Sequence, residues 1–234
     1  MADLRAFEQA GRKIVVVGHY GSGKTEFAVS LAMLLAAGAT GRLALIDLDI
    51  ANPYFRSRER RDMLEKAGIR VYGSVYKTEI TAELPALGAD VRAPLEDPGC
   101  RAVIDAGGND SGAIVLVQFK KYLLDDETTV LAVVNANRPE TRDIDGAVGH
   151  IAAIEEAVGL EVGGIVNNSH LLRETTADTI IKGHDLCARV CEATGKKFWC
   201  DCYPVGIVEP EELSCLSADL MPMGLHMRPT WMDK

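Results

Sequence analysis

The ten residues Val16-Val17-Gly18-His19-Tyr20-Gly21-Ser22-Gly23-Lys24-Thr25 constrain this chain more than any other stretch. They read G-x-x-x-x-G-K-T, directly after the β-branched run Ile14 to Val17 and directly before the apolar run Phe27 to Ala37. Strand, glycine turn and helix, in that order, form the context in which such a turn binds phosphate. Gly18, Gly21 and Gly23 permit backbone angles that side chains forbid, so successive N–H groups can curl around an anion. The helix that starts there turns its unpaired N–H groups and positive dipole end toward the same anion. Lys24 is then in reach of the β- and γ-phosphates, and the Thr25 hydroxyl can ligate Mg²⁺. With His19, Tyr20 and Ser22 in the turn and Glu26 just beyond it, residues 18–26 are the candidate phosphate-binding stretch.

Downstream, apolar runs and helical periods alternate, the pattern of a parallel sheet covered on both faces. Strands are expected at 13–17, 43–47, 69–72, 101–105, 129–135, 162–167 and 197–202. Helices are expected at about 24–37, 57–67, 113–124, 139–158 and 175–194, with a short one from Pro210 and an amphipathic lead-in over 1–12. The fold class is α/β, with three layers (α/β/α) around a mostly parallel sheet. A single nucleotide-binding domain over residues 1–234 accounts for the length. Within it, 73–99 is punctuated by Pro85, Pro94 and Pro98 and is the candidate lid or partner segment.

Two buried strands end in carboxylates: the second in Asp47-Leu48-Asp49, the fourth in Asp105-Ala106-Gly107-Gly108. Carboxylates at the carboxyl ends of such strands, beside a phosphate loop, can handle Mg²⁺ or water. Asp105 can hold Mg²⁺ through its water shell, and the Gly108 N–H can approach a γ-phosphate because no side chain obstructs it.

The net charge of −9 argues against non-specific nucleic-acid binding. The local basic run Arg56, Arg58, Arg60 and Arg61 is interleaved with Glu59, Asp62 and Glu65, as on a solvated helix face. The longest nearly apolar stretch, Phe27 to Ala39, is too short to cross a bilayer, and the start carries no signal-peptide pattern. A cytoplasmic protein without membrane or nucleic-acid partners is therefore expected, its six cysteines reduced. Cys187, Cys191, Cys200 and Cys202 match no tight zinc or iron–sulfur spacing and read first as small buried hydrophobes, with a metal site left open.

Five segments carry a resemblance: GHYGSGKTEFAVSLA, LALIDLDIANPYFRSRE, VIDAGGND, VVNANRPETRD and GGIVNNSHL. Over about residues 13–210 the chain resembles the P-loop ATPases of the MinD/ParA and nitrogenase-iron-protein class, with the related cobyrinate-synthase-like domains. It also looks like a poorly characterised bacterial ATP-binding family within that class. The resemblance implies the P-loop NTPase fold, ATP and Mg²⁺ as ligands, and roles for particular residues. Lys24 and Asp49 would be catalytic, Asp49 orienting the attacking water. Thr25, Asp47 and Asp105 would hold Mg²⁺, and Gly108 would sense the γ-phosphate. Asn167 would read the adenine edge, and the segment around Pro210 would pack over the base. His19 stands where MinD and ParA proteins carry a second lysine that reaches across a dimer, which argues against a sandwich dimer built on that residue; a homodimer of another kind stays open. Neither Asn135-Ala136-Asn137-Arg138 nor Asn167-Asn168-Ser169-His170 supplies the N/T-K-x-D aspartate that reads guanine, so ATP is expected over GTP.

Three functions fit these residues. One is a slow ATPase acting as a nucleotide-controlled switch for a protein partner. Another is a phosphoryl-transfer or ligase enzyme that activates a small carboxylate, held by Arg56, Arg58 or the 73–99 segment. The third is a nucleotide sensor without turnover.

Overall fold

The structure is a computed structural model and describes residues 5–38, 41–49, 60–73, 89–108 and 113–227. Among the described residues eight strands, all parallel, form one sheet in the order β3-β2-β4-β1-β5-β6-β7-β8. They are β1 (Lys13–Val17), β2 (Arg42–Asp47), β3 (Ile69–Gly73), β4 (Cys100–Asp105), β5 (Thr128–Val134), β6 (Gly164–Asn167), β7 (Lys197–Pro204) and β8 (Leu220–Met223). Every residue of β1 is buried, as its central place between β4 and β5 demands.

Helices cover both faces. On one, α1 (Arg5–Glu8), α2 (Lys24–Gly38) and α3 (Arg61–Lys66) place Phe7, Phe27, Leu31 and Leu64 against Ile14, Val16 and Leu45. On the other, α4 (Ala89–Glu96), α5 (Ile144–Val158), α6 (Ala177–Thr194) and the 3₁₀ stretch Ile114–Tyr122 bury Leu95, Ile151, Val190 and Phe119 against Val15, Val17 and Ile104. Alternate β1 residues thus feed opposite cores, as a strand's period of two requires. The architecture is the expected three-layer α/β/α sandwich.

Several elements differ from expectation in detail. The expected helix over 113–124 is a 3₁₀ stretch, and the one over 139–158 divides into a 3₁₀ turn at Pro139–Thr141 and α5. Asp143 causes the break: its extended backbone caps α5 and its carboxylate accepts from the Gly146 N–H at 2.9 Å. Of the candidate lid segment 73–99, Gly73 ends β3 and 89–99 carry α4 with Pro94 inside it, while 74–88 lie outside the described residues. β8 is not among the expected strands; its Pro222 lies at the sheet edge, where the missing N–H costs no ladder bond. Residues 50–59, with Arg56 and Arg58, lie outside the described residues.

Cys187, Cys200 and Cys202 are buried, and among the described residues no group of three or more His, Cys, Asp or Glu is arranged to hold a metal ion. Among the described residues no helix is long and apolar enough to cross a membrane.

Candidate nucleotide-binding site

The glycine turn leaves β1 with Gly18, Gly21 and Gly23 at φ of 142°, 75° and 83°. A Cβ at Gly18 would lie 2.3 Å from the Val133 carbonyl oxygen of β5, and one at Gly23 only 2.4 Å from Asn168 Nδ2. The loop is held from outside by two side chains. Arg138 Nε donates to the Gly21 carbonyl at 2.8 Å, and Asn168 Nδ2 to the Ser22 carbonyl at 2.8 Å. Lys24 is buried, and its ammonium donates back to the His19 carbonyl at 3.1 Å. Burial lowers its pKa, while Asp105 and Asp49 pull it up again. The Ser22 hydroxyl is buried without a hydrogen-bond partner.

The carboxylates gather where β2 and β4 end side by side. Asp47 and Asp105 are paired in register, and Asp105 is likewise opposite Val16 of β1. Asp47, Asp49 and Asp105 are all buried, and the Asp49 N–H donates to Asp47 Oδ1 at 3.1 Å. Both oxygens of Asp105 lack a hydrogen-bond partner. Burial first, then the neighbouring Asp47 charge, pushes its pKa up to about 8. Lys24 and the Thr25 hydroxyl pull the other way, although the hydroxyl makes no well-formed hydrogen bond to either oxygen. Two buried carboxyls and a hydroxyl form a hard-oxygen donor set, and the orphaned Asp105 oxygens are what a divalent cation or its water shell would satisfy. Mg²⁺ therefore fits these residues. Gly108 lies against the loop: a Cβ there would be 2.9 Å from Tyr20 Cα and 3.0 Å from Lys24 Nζ.

A cavity of about 380 Å³ runs from Tyr20, Lys24, Thr25 and Asp49 toward the ends of β6, β7 and β8. Its far end is lined by Leu172, Cys202, Pro204, Met223, Leu225 and Met227. The size suits a cofactor-scale ligand, with polar groups at one end and apolar surface at the other.

Two residues expected at the base lie elsewhere. Asn167 is buried away from the cavity, and its amide is consumed: Nδ2 donates to the Ile180 carbonyl at 3.0 Å and to Asp201 at 2.7 Å, while Oδ1 accepts from the Ser169 N–H at 3.1 Å. Pro210 opens a 3₁₀ turn whose Leu213 packs with Val208 and Ile180, and it does not line the cavity. Asn168 and His170 line it instead. Burial, helped by Arg138, lowers the His170 pKa to about 4, so the ring is neutral at pH 7. Its Nδ1 accepts from the Leu172 N–H at 3.4 Å, which leaves the proton on Nε2, the nitrogen nearest Gly23. Leu172 has φ of 56°, the single positive value outside glycine among the described residues.

His19 turns from the cavity. Its Nδ1 lies 2.8 Å from the Tyr20 carbonyl, and its ring packs edge-on against His150 with centroids 5.0 Å apart. Glu26 does line the cavity; burial raises its pKa to about 7, against two backbone N–H bonds from Met227 and His226 and the charge of Arg60.

No family model and no curated protein matches the chain. Solved structures do. The cell division protein FtsY of Thermotoga maritima is 19% identical, with 80% of this chain and 59% of that chain covered and a TM-score of 0.55. The 54 kDa signal recognition particle protein of Aeropyrum pernix, in complex with GDP, is 20% identical over 81% of this chain and 40% of that one, with a TM-score of 0.53. FtsY of Mycoplasma mycoides gives 15%, 82%, 59% and 0.52 in the same terms. The chain thus spans roughly two-fifths to three-fifths of these proteins. These are FtsY and a signal recognition particle protein, not MinD or ParA, so the likeness bears on the fold and leaves the MinD/ParA resemblance to the sequence. What chain and neighbours share is the α/β P-loop NTPase fold; in this chain the glycine loop follows β1 at the carboxyl edge of the parallel sheet.

Proposed function

We propose that this protein binds ATP with Mg²⁺ and hydrolyses it slowly, as a nucleotide-controlled switch read by a protein partner. One observation carries the reading: Lys24 and the carboxyls of Asp47, Asp49 and Asp105 converge on a pre-shaped glycine loop, with both Asp105 oxygens unpartnered. The loop N–H groups and Lys24 hold the β- and γ-phosphates. Bound Mg²⁺ supplies charge neutralisation at the transferring phosphoryl group. Thr25, Asp47 and Asp105 hold the ion or its waters, and Asp49, at the cavity wall, orients the attacking water. Gly108, in contact with Tyr20 and Lys24, is positioned to register the γ-phosphate and pass its presence to the chain that follows.

Adenine is favoured over guanine by the lining of the far end. Guanine recognition needs an acceptor pair such as a free carboxylate for its N1–H and amino group. Among the described residues the cavity-lining carboxyls are Glu26 and Asp49. Asp49 is at the phosphate end, and both Glu26 oxygens already accept backbone N–H groups. Among the described residues Asn168, His170, Arg138 and Thr175 bring polar side chains to the lining between the phosphate loop and the apolar end. The test is competition and turnover: ATP should displace labelled nucleotide well before GTP, and ADP should appear without an added acceptor. Displacement by GTP at equal concentration refutes the base preference, and turnover that requires a small carboxylate replaces the switch with a ligase.

A further inference from the structure

The C-terminal segment beyond β8 has no part in the phosphate chemistry, yet it supplies much of the cavity's apolar end. β8 runs parallel to β7, with Pro204 opposite Met223, so the chain leaves the sheet at the edge where the nucleotide cavity opens. From there it is fastened to the first turns of α2. The Gly224 N–H donates to Ser30 Oγ at 3.1 Å; the His226 N–H donates to Glu26 Oε1 at 2.6 Å, and the Met227 N–H to Glu26 Oε2 at 3.0 Å. Across the strand pair the Val205 N–H donates to the Met223 carbonyl at 3.1 Å. With these N–H groups turned to α2, Met223, Leu225 and Met227 line the cavity. The residue that makes two of these bonds follows Thr25 directly, so the phosphate loop and the apolar wall share one anchor.

We propose that Glu26 is the positioning residue for this wall, residues 223–227, and that through it Glu26 sets affinity for the base of the nucleotide and not for its phosphates. This rests on the nucleotide reading of the cavity. The physical reason is that each carboxylate oxygen accepts one N–H at the far end of a wall whose near end is held by β8 and by Ser30. Truncating Glu26 leaves two donors without partners in a half-buried place. The wall then gives up its fixed position, and a ligand that needs it must order the segment again on binding. A ligand made only of phosphate never touches it.

The experiment titrates ATP and inorganic tripolyphosphate, each with Mg²⁺, into the wild-type protein, Glu26→Ala, Glu26→Gln, Leu225→Ala and Lys24→Ala, with circular dichroism as the check on folding. Glu26→Ala should weaken ATP about ten- to thirtyfold and move tripolyphosphate less than about twofold. Glu26→Gln keeps one acceptor and should fall between, and Leu225→Ala should weaken ATP alone. Equal losses for ATP and tripolyphosphate in Glu26→Ala, or no loss for ATP, overturn the proposal. If that variant does not fold, Glu26→Gln and Leu225→Ala decide it by the same comparison. Wild-type protein that binds neither ligand, or Lys24→Ala that binds both as the wild type does, instead brings down the nucleotide reading and the proposal with it.

Discussion

Asp105 sits fully buried beside Asp47 with a pKa pushed up to about 8, so in the ligand-free protein it is mostly protonated at pH 7. Holding Mg²⁺ or its water shell requires the carboxylate. Binding must therefore release a proton, and acid must weaken it. Below such a raised pKa the ionised fraction falls about tenfold per pH unit. Between pH 6 and pH 8 the affinity for Mg²⁺–ATP should rise more than about tenfold. The ligand-free fold moves oppositely: a raised carboxyl pKa contributes stability below its unfolded value of 3.8 that is lost as pH rises through 8. Asp105→Asn should bind Mg²⁺–ATP weakly at every pH, and its ligand-free form should be more stable than the wild type at pH 8. Calorimetry in two buffers of different ionisation enthalpy counts the protons, and the nucleotide's own proton cancels between the two proteins. A wild-type slope no steeper than that of Asp105→Asn refutes the reasoning.

Three further outcomes follow from the cavity and its supports. Asn168→Ala removes the donor to the Ser22 carbonyl and should weaken ATP about tenfold; unchanged affinity contradicts this. Asn167→Ala strips Asp201 and the Ser169 N–H of partners and should cost about 2–3 kcal/mol in urea unfolding; an undiminished midpoint contradicts that placement. His170 has its pKa lowered from 6.5 to about 4, so its contribution is present above pH 6.5 and lost as pH falls toward 4, up to about 3 kcal/mol. His170→Gln should be less acid-sensitive than the wild type between pH 6.5 and 4 in the same unfolding measurement, and identical pH profiles refute it.

The phosphate end was legible because its physics is local. A glycine turn between a β-branched run and an apolar helix dictates a loop shape, and Asp47 and Asp105 end continuous apolar strands whose register follows from burial on both faces. The base end was not legible. Asn167 and Asn168 are adjacent at a strand end, where successive side chains point to opposite faces. A one-residue choice of face therefore decides which amide meets a ligand, and the sequence alone does not set it; Gly183 of α6 does, admitting Asn167 and Ser169 so closely that a Cβ there would lie 2.4 Å from Asn167 Oδ1 and 2.1 Å from Ser169 Oγ. The far wall was missed for another reason. Leu220-Met221-Pro222-Met223 is short and carries proline, and its place beside β7 depends on a pairing and on the Glu26 anchor, both far away in sequence. Arg138, which clamps Gly21 from the loop after β5, has no local signal either, since its role exists only once β1 and β5 are neighbours.

The central claim is that the loop around Lys24 binds the phosphates of a nucleotide. Isothermal titration of Mg²⁺–ATP into the wild-type protein and Lys24→Ala, at pH 8 where more of Asp105 is ionised than at pH 7, tests it most directly. Lys24 is a buried charge aimed into the cavity with one backbone acceptor and two nearby carboxyls, and it takes no part in the apolar core. The account predicts a saturable wild-type isotherm and a loss of at least about a hundredfold in the variant, with an unchanged circular dichroism spectrum. A folded Lys24→Ala protein that binds Mg²⁺–ATP as tightly as the wild type contradicts it.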